Sequence, residues 1–281
     1  MMKWAVSAIV YLLVIVGGYT VYANYFDKDT SSEQETHSAG NAHNSEHKES
    51  ENAGGHNDSH GDHGALAAES EVAVDVNYDG ENVVINMKDK EGNPVKDLEV
   101  NHEKFMHLII VDDHLDKYYH LHPTKMKEGA FQVDYPLEKG SYKAFVDIKP
   151  VNLTYHVSPL AFAVGEPAEG HSHPGLEVDS ELTKTVNGKK VEMKPSTDFK
   201  AGEPITLDFV VDKEGLEPYL GAMGHVVILD EAAENYVHVH PSNEKEPKFE
   251  TEFNKQGKYK IWAEFKHHGI VRTYPFVIEV K

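Results

Sequence analysis

The 281-residue chain contains no cysteine. This absence excludes disulfides, thiolate metal sites and a cysteine nucleophile. The sequence also lacks a serine elbow, an HExxH motif and a phosphate-binding loop, so nothing in it indicates an enzyme. Basic residues are few, because 27 Lys and Arg stand against 47 Asp and Glu and give a formal net charge of −20. Nucleic acid is therefore excluded as an expected partner, and cations are favoured.

Long uncharged runs are scarce as well, and the one that stands out is near the N-terminus. From Trp4 to Ala23 the chain has no charged residue, and about 20 apolar residues suffice to cross a bilayer. With Lys3 inside, we expect a single-pass anchor in the cell membrane over residues 1–26 and an extracytoplasmic location for the bulk of the chain. The alternative is a cleaved signal peptide, because Val21 and Ala23 fit a small-residue cleavage rule before Asn24.

Residues 27–69 contain almost no large apolar side chains. Such a segment cannot offset its ordering entropy by burial, so we expect a disordered tether. Acidic residues are interleaved with six histidines, which are His37, His43, His47, His56, His60 and His63. Short His-rich tracts are typical of metal binding, here at weak and exchangeable sites. The competing interpretation is a solvated spacer.

The rest of the chain shows the alternation and turn spacing of antiparallel β-structure, with no amphipathic helical window. We predict an all-β fold with two tandem sandwiches, residues 70–165 and 179–281, joined by a linker over residues 166–178. The predicted strands of the first unit include VAVDV, NVVINMK, AFQVDYPL, SYKAFVDI and TYHVSPLAFAV. Those of the second include VNGKKVEMKP, PITLDFVVD, KFETEFN, GKYKIWAEFK and TYPFVIEV.

One hairpin occurs in both units and ends in the motif HxHP. The two copies align without a gap from His107 and His225 to Pro123 and Pro241. A turn centred near residues 114 and 115 places His107 opposite His122 and diagonal to His120, since alternate residues share a strand face. The first predicted patch is His107, His120 and His122, and the second is His225, His238 and His240. We expect Val226, Ile228, Val237 and Val239 on the opposite face, in a sandwich core.

Neutral imidazoles favour transition metals, whereas Ca²⁺ and Mg²⁺ need an oxygen cage. Each patch is therefore a candidate site for Cu(II) or Zn(II), with copper preferred from the usual affinity order. His102 is a candidate fourth ligand in the first unit. His267 and His268 either complete the second site or are exposed. The alternative interpretation, without metal, is that all these histidines are buried and hydrogen-bonded within a sandwich seam.

The segments HEKFMHLIIVDD, YYHLHP and GSYKAFVDI, with their second copies, resemble YtkA-like and copper-resistance-type domains of extracytoplasmic bacterial proteins. The resemblance covers roughly residues 71–281 and implies immunoglobulin-like sandwiches that handle or supply metal. It is consistent with metal capture, delivery or tolerance, and with a membrane metal transporter or a metalloenzyme as partner. Two other functions stay open: a structural or partner-binding module without metal, and a pH sensor based on the histidines.

Overall fold

The computed structural model of the protein describes residues 69–166, 175–237 and 239–281. These residues form nineteen β-strands and no helix, which confirms the predicted all-β class. Within the same ranges, no helix has the length and hydropathy that crossing a bilayer requires. The predicted anchor, the His-rich tether, most of the linker and His238 lie outside the described residues. The described residues belong to one compact unit, and the two sandwiches lie within it.

The first sandwich packs two antiparallel sheets face to face. Alternation makes one face of each sheet apolar, so Val83 and Ile85 of one sheet meet Leu108 and Ile110 of the other in a single core. The first sheet has the order β1 (Val72–Tyr78), β2 (Asn82–Asp89), β7 (Ala130–Asp134) and β6 (Thr124–Lys127). The second has the order β3 (Leu98–Glu99), β8 (Gly140–Pro150), β4 (Met106–Asp112) and β5 (Tyr118–Leu121), with β9 (Leu160–Val164) also paired to β8.

The second sandwich repeats this plan. Leu207 and Phe209 of one sheet pack with Ile228 and Phe276 of the other. The first sheet has the order β10 (Thr183–Val186), β11 (Lys189–Pro195), β12 (Pro204–Val211), β17 (Lys248–Glu252) and β16 (His240–Pro241). The second has the order β13 (Leu216–Glu217), β18 (Gly257–His267), β14 (His225–Asp230) and β15 (Tyr236–Val237), with β19 (Ile270–Val280) also paired to β18.

Among the predicted strands whose limits differ in the structure, two show the largest changes. TYHVSPLAFAV forms a strand only from Leu160 onward, because Pro159 has no N–H to donate to a ladder. VNGKKVEMKP is divided between β10 and β11, because Asn187 and Gly188 adopt φ of 48° and 77°. Those angles are typical of a tight hairpin turn at an Asn-Gly pair.

The two repeated hairpins have the predicted register. Val111 pairs with Tyr118 in the first copy, so its turn is centred between residues 114 and 115. Ile228 pairs with Val237 in the second copy, which is the same register 118 positions later. The face predicted to be core in the second hairpin packs in the second sandwich, as expected, through Val226, Ile228, Val237 and Val239.

The other faces of the two hairpin sheets pack against each other, which the sequence analysis did not predict. Their shared cluster consists of Ile109, Val111, Leu115, Phe145, Val227, Leu229, Ala233 and Trp262. The contacts are reciprocal: Tyr118 stacks on Trp262 with ring centroids 4.8 Å apart, and Tyr236 packs on Phe145 at 5.9 Å. Since Phe145 and Trp262 occupy the same position in the repeated GSYKAF and GKYKIW segments, the two sandwiches meet with approximate twofold symmetry.

We predict that Trp262→Ala lowers the free energy of unfolding by about 3–5 kcal/mol, the cost of truncating a large buried aromatic side chain. Trp262 is 2% exposed and joins both sandwiches. Urea denaturation measures the loss. The matched control Ile270→Ala removes a residue that is 56% exposed and should change stability by less than about 0.5 kcal/mol. Equal effects of the two substitutions would contradict this interface.

Candidate functional site

A histidine cluster lies at one end of the interface between the sandwiches. His107 begins the repeated hairpin of the first sandwich, His120 lies on its second strand, and His225 begins the hairpin of the second sandwich. One ring nitrogen of each of these three histidines lies within 4.8 Å of the others. We call these three residues the shared trio, because both sandwiches contribute to it.

The first member of the trio has a fixed tautomer. His107 is 1% exposed, and its Nε2 lies 2.9 Å from the backbone carbonyl oxygen of Asn101. A carbonyl oxygen only accepts hydrogen bonds, so Nε2 must carry the proton. In the neutral ring, Nδ1 therefore presents a lone pair toward the centre of the cluster.

The second member is held by a buried carboxylate from the other sandwich. His120 Nδ1 lies 2.6 Å from Oε2 of Glu264, and their side chains are 1% and 4% exposed. Burial alone would raise the pKa of Glu264, but the attraction of His120 and His225 and the hydrogen bond from His120 outweigh it and lower that pKa to about 2. The ionised carboxylate accepts, so His120 Nδ1 carries the proton and Nε2 presents a lone pair when the ring is neutral. His225 Nδ1 lies 3.4 Å from the same oxygen, without hydrogen-bond geometry.

The two inward nitrogens face each other closely. His107 Nδ1 and His120 Nε2 are 2.9 Å apart. If both rings are neutral, neither nitrogen has a proton to donate, and two lone pairs point at each other. Such a contact is stable only with a positive charge between the rings, either a shared proton or a metal ion. The hydrogen bonds on the outer nitrogens are the type that orients histidine ligands at metal sites.

The environment favours neutral imidazoles at His107, His122 and His225. Burial, opposed by the Asn101 carbonyl and aided by neighbouring imidazoles, lowers the pKa of His107 to about 2. Burial lowers the pKa of His122 to about 4. It also lowers that of His225, against the attraction of Glu264. A neutral ring is the form that binds a metal ion, so these groups need no deprotonation at neutral pH.

Two more predicted ligands, His122 and His102, lie beside the trio. The ring of His122 lies 5.0 Å from that of His107 and 4.7 Å from that of His120, measured between centroids. The predicted grouping of these three residues is therefore present in the structure. The ring of His102 lies 6.1 Å from that of His107 and 6.2 Å from that of His225.

The described residues do not form the predicted second patch. His225 joins the first patch, while His240 lies in β16 and pairs with Glu250 in the opposite sheet. The second hairpin ends at Val237, and the chain then crosses to that other sheet. His238 lies outside the described residues, so its predicted role stays a prediction.

The two histidines at the end of β18 do not complete the trio. His267 is buried at the end of the second core, and its Nε2 lies 2.8 Å from the carbonyl oxygen of Asp212. His268 is exposed in the turn after β18, beside Gly215. His268 therefore fits the exposed alternative, and neither residue belongs to the trio.

Sequence reasoning missed Asn101 and Glu264. Glu264 pairs directly with His225 across β14 and β18, and Asp147 pairs with His107 at the same position of the first sandwich. The signal was present, because GSYKAFVD and GKYKIWAE both place an acid at their eighth position. Asn101 contributes a backbone carbonyl, and residue type does not reveal such a contact.

The fold and the cluster define a tandem β-sandwich protein with a histidine site between its two repeats. A protein family described as "Domain of unknown function (DUF8832)" matches residues 67–166 and again residues 184–281. The two matches cover more than half of the chain, so the protein belongs to this family and contains two copies of its domain. This result confirms the internal repeat. Comparison with curated proteins gives no match.

Solved structures that are similar to this chain include an adhesin and a fibronectin type III segment. The Escherichia coli adhesin FdeC is 14% identical, with 75% of this chain and 64% of that chain covered and a TM-score of 0.24. The chain thus spans less than two thirds of that FdeC structure. A two-domain fibronectin type III segment of chicken tenascin is 8% identical, with 74% of this chain and 97% of that chain covered and a TM-score of 0.24. Similarities at this level carry no argument about function.

The lowered pKa values predict destabilisation by acid. In the unfolded chain, histidines take up protons near pH 6.5, whereas folded His122 and His107 exclude them down to about pH 4 and about pH 2. The unfolded state binds more protons in this window, so the free energy of unfolding falls as pH drops below 6.5. The slope reaches about 1.4 kcal/mol per pH unit for each group.

Urea denaturation between pH 7.5 and pH 4.5, in the presence of chelator, measures this dependence. His107→Asn should make the decrease shallower, because one excluded proton is removed. Equal stability of the unsubstituted chain at pH 7 and pH 5 would contradict the burial of neutral imidazoles.

Proposed function

We propose that this protein binds one divalent transition metal ion, Cu(II) or Zn(II), between its two sandwiches. The shared trio of His107, His120 and His225 supplies the ligands, and His122 lies beside it. The observation that carries this proposal is the 2.9 Å approach of two nitrogens that carry no proton when both rings are neutral, because the outer nitrogens hold the ring protons. A bound cation converts that repulsive contact into two ligand bonds.

The donor set fits such an ion. Imidazole nitrogens suit copper and zinc, and three of them leave a further coordination position open. Glu264 and the Asn101 carbonyl hold the rings from outside, so the ligands are already oriented. Among the described residues, Glu264 is the one carboxylate that hydrogen-bonds to a ring of the trio, that of His120. The donor set therefore does not resemble the oxygen cage of a calcium site.

The proposed role in the cell is inferred from the sequence. An N-terminal anchor would hold the sandwiches outside the cytoplasm, and the histidines of the tether would raise the local metal concentration. The resemblance to YtkA-like and copper-resistance-type domains supports an immunoglobulin-like topology and a role in metal capture, delivery or tolerance. A membrane metal transporter or a metalloenzyme is the corresponding partner.

One observation favours a second candidate function, a metal-free structural seam. The cluster is enclosed where the two sandwiches meet, and a protonated His120 would form a buried ion pair with Glu264 while donating to His107. Such a seam would join the domains without any ion. It predicts the same thermal stability with copper, with zinc and after exhaustive chelation.

The test uses the full chain with eight histidines outside the sandwiches replaced by Asn, which we call the tether-silent chain. The replaced residues are His37, His43, His47, His56, His60, His63, His171 and His173. Calorimetric titration should give one Cu(II) or Zn(II) per chain. His120→Gln and His225→Asn should each weaken affinity by about 100-fold or more, beyond the 10–100-fold typical of an outer-shell change.

His240→Asn is the matched control, because this residue lies in the other sheet. The metal affinity of this variant should stay within about twofold of that of the parent. Absence of stoichiometric binding by the tether-silent chain, or equal losses in all three variants, would refute the shared site.

A separate prediction concerns the buried carboxylate. Glu264→Gln removes the charge that holds His120 but keeps the size of the side chain, so metal affinity should fall by about 10–100-fold. Glu279→Gln, on the exposed face of β19, serves as the control and should bind like the parent. An unchanged affinity in the Glu264 variant would show that the carboxylate does not orient the ligand.

A further inference from the structure

A tight turn at the edge of the cluster has an unusual sequence. Asn101 N donates to the Lys104 carbonyl at 2.7 Å, and Lys104 N donates back to the Asn101 carbonyl at 3.0 Å. The two central residues, His102 and Glu103, have φ of 46° and 65°. Positive φ at both central positions strongly favours Asn-Gly, because side chains other than Asn and Asp are strained there.

The second sandwich contains the same turn with different residues. Tyr219 and Ala222 exchange backbone hydrogen bonds of 2.8 Å and 3.4 Å, and Leu220 and Gly221 have φ of 57° and 82°. These positions are 118 residues after those of the first turn, which is the offset between His107 and His225. Leu220 is 3% exposed and serves packing. The fold therefore accepts an apolar residue and a glycine at this position and does not itself require histidine.

His102 lies between the trio and the solvent. Its ring is half-buried and about equally far from His107 and His225, with centroid distances of 6.1 Å and 6.2 Å. The residues that follow it, Glu103 and Lys104, are exposed. Two members of the trio are enclosed, since His107 and the side chain of His120 are each 1% exposed, whereas the side chain of His225 is 13% exposed. The turns that border the site offer one route for an ion from solvent.

The second turn borders the same end of the cluster. The ring of Tyr219 lies 6.5 Å from that of His120. A Cβ added to Gly221 would lie 3.8 Å from Cγ of Glu103, so the two turns lie side by side. His102 is the histidine of these two turns, and its ring lies next to the trio.

We propose that His102 is the uptake ligand of the shared trio, the residue that binds the metal ion first and passes it to His107 and His225. This inference rests on the proposed metal-binding function. In the transfer, a neutral imidazole of His102 displaces a water from the hydrated divalent ion. Bonds to His107 and His225 then form as the bond to His102 breaks, and the oxidation state of the ion does not change. The strained turn is retained because it holds an imidazole at this position.

The experiment measures the rate of Cu(II) binding by stopped-flow fluorescence. The tether-silent chain with Trp4→Phe retains Trp262 as its one tryptophan, next to the site, and bound Cu(II) quenches it. His102→Asn removes the imidazole with a residue that tolerates positive φ. We expect the association and dissociation rates to fall together by about tenfold or more, with equilibrium affinity within about threefold of the parent.

Two control variants separate uptake from turn structure. Glu103→Gly relaxes the turn and keeps the imidazole, so its rates should match the parent while its melting temperature rises. His114→Asn removes a histidine from the exposed hairpin turn and should change neither rate. Unchanged rates in His102→Asn, or equal slowing in Glu103→Gly, would overturn the proposal. A large loss of affinity with faster dissociation would instead make His102 a resident ligand. If the parent chain binds no Cu(II), it is the proposed function that fails.

Discussion

Two hydrogen bonds on the outer side of the cluster determine its chemistry. The Asn101 carbonyl accepts a hydrogen bond from the Nε2–H of His107, and the Glu264 carboxylate accepts one from the Nδ1–H of His120. Both rings are thereby turned so that unprotonated nitrogens converge from different strands. Burial keeps the ring of His107 neutral by lowering its pKa to about 2. A positive charge between the rings, either a shared proton or a metal ion, stabilises such an arrangement.

The approximate twofold symmetry explains why the site lies between the sandwiches. In each repeat, one face of the hairpin packs in its own sandwich core and the other face packs against the other repeat. Because the two contacting faces are equivalent, the contacts are reciprocal: Tyr118 stacks on Trp262, and Tyr236 packs on Phe145. His107 and His225, which begin the two hairpins, then lie face to face at 5.6 Å with nearly parallel rings. The symmetry is broken at the turns, where one copy has His102-Glu103 and the other Leu220-Gly221. His102 therefore has no imidazole counterpart in the second repeat.

Much of the fold could be predicted from the sequence because the hairpin repeats with a period-two pattern. The register that pairs Val111 with Tyr118 follows from the turn position, and it places His107, His120 and His122 together. The partner of the outward hairpin face could not be predicted. Ile109 and Val111 alternate with core residues as they would in any strand. No local pattern indicates that this face packs against a second sandwich. The prediction for His240 was wrong because the chain changes sheets after Val237, a long-range event.

In the proposed site, imidazoles from both sandwiches hold one ion. A crystal structure of the copper-loaded protein, with anomalous diffraction recorded at the copper edge, tests it most directly. The account predicts one strong peak about 2 Å from His107 Nδ1, His120 Nε2 and a ring nitrogen of His225. A trio without an anomalous peak, with His107 and His120 still in direct contact at 2.9 Å in copper-soaked crystals, would contradict it.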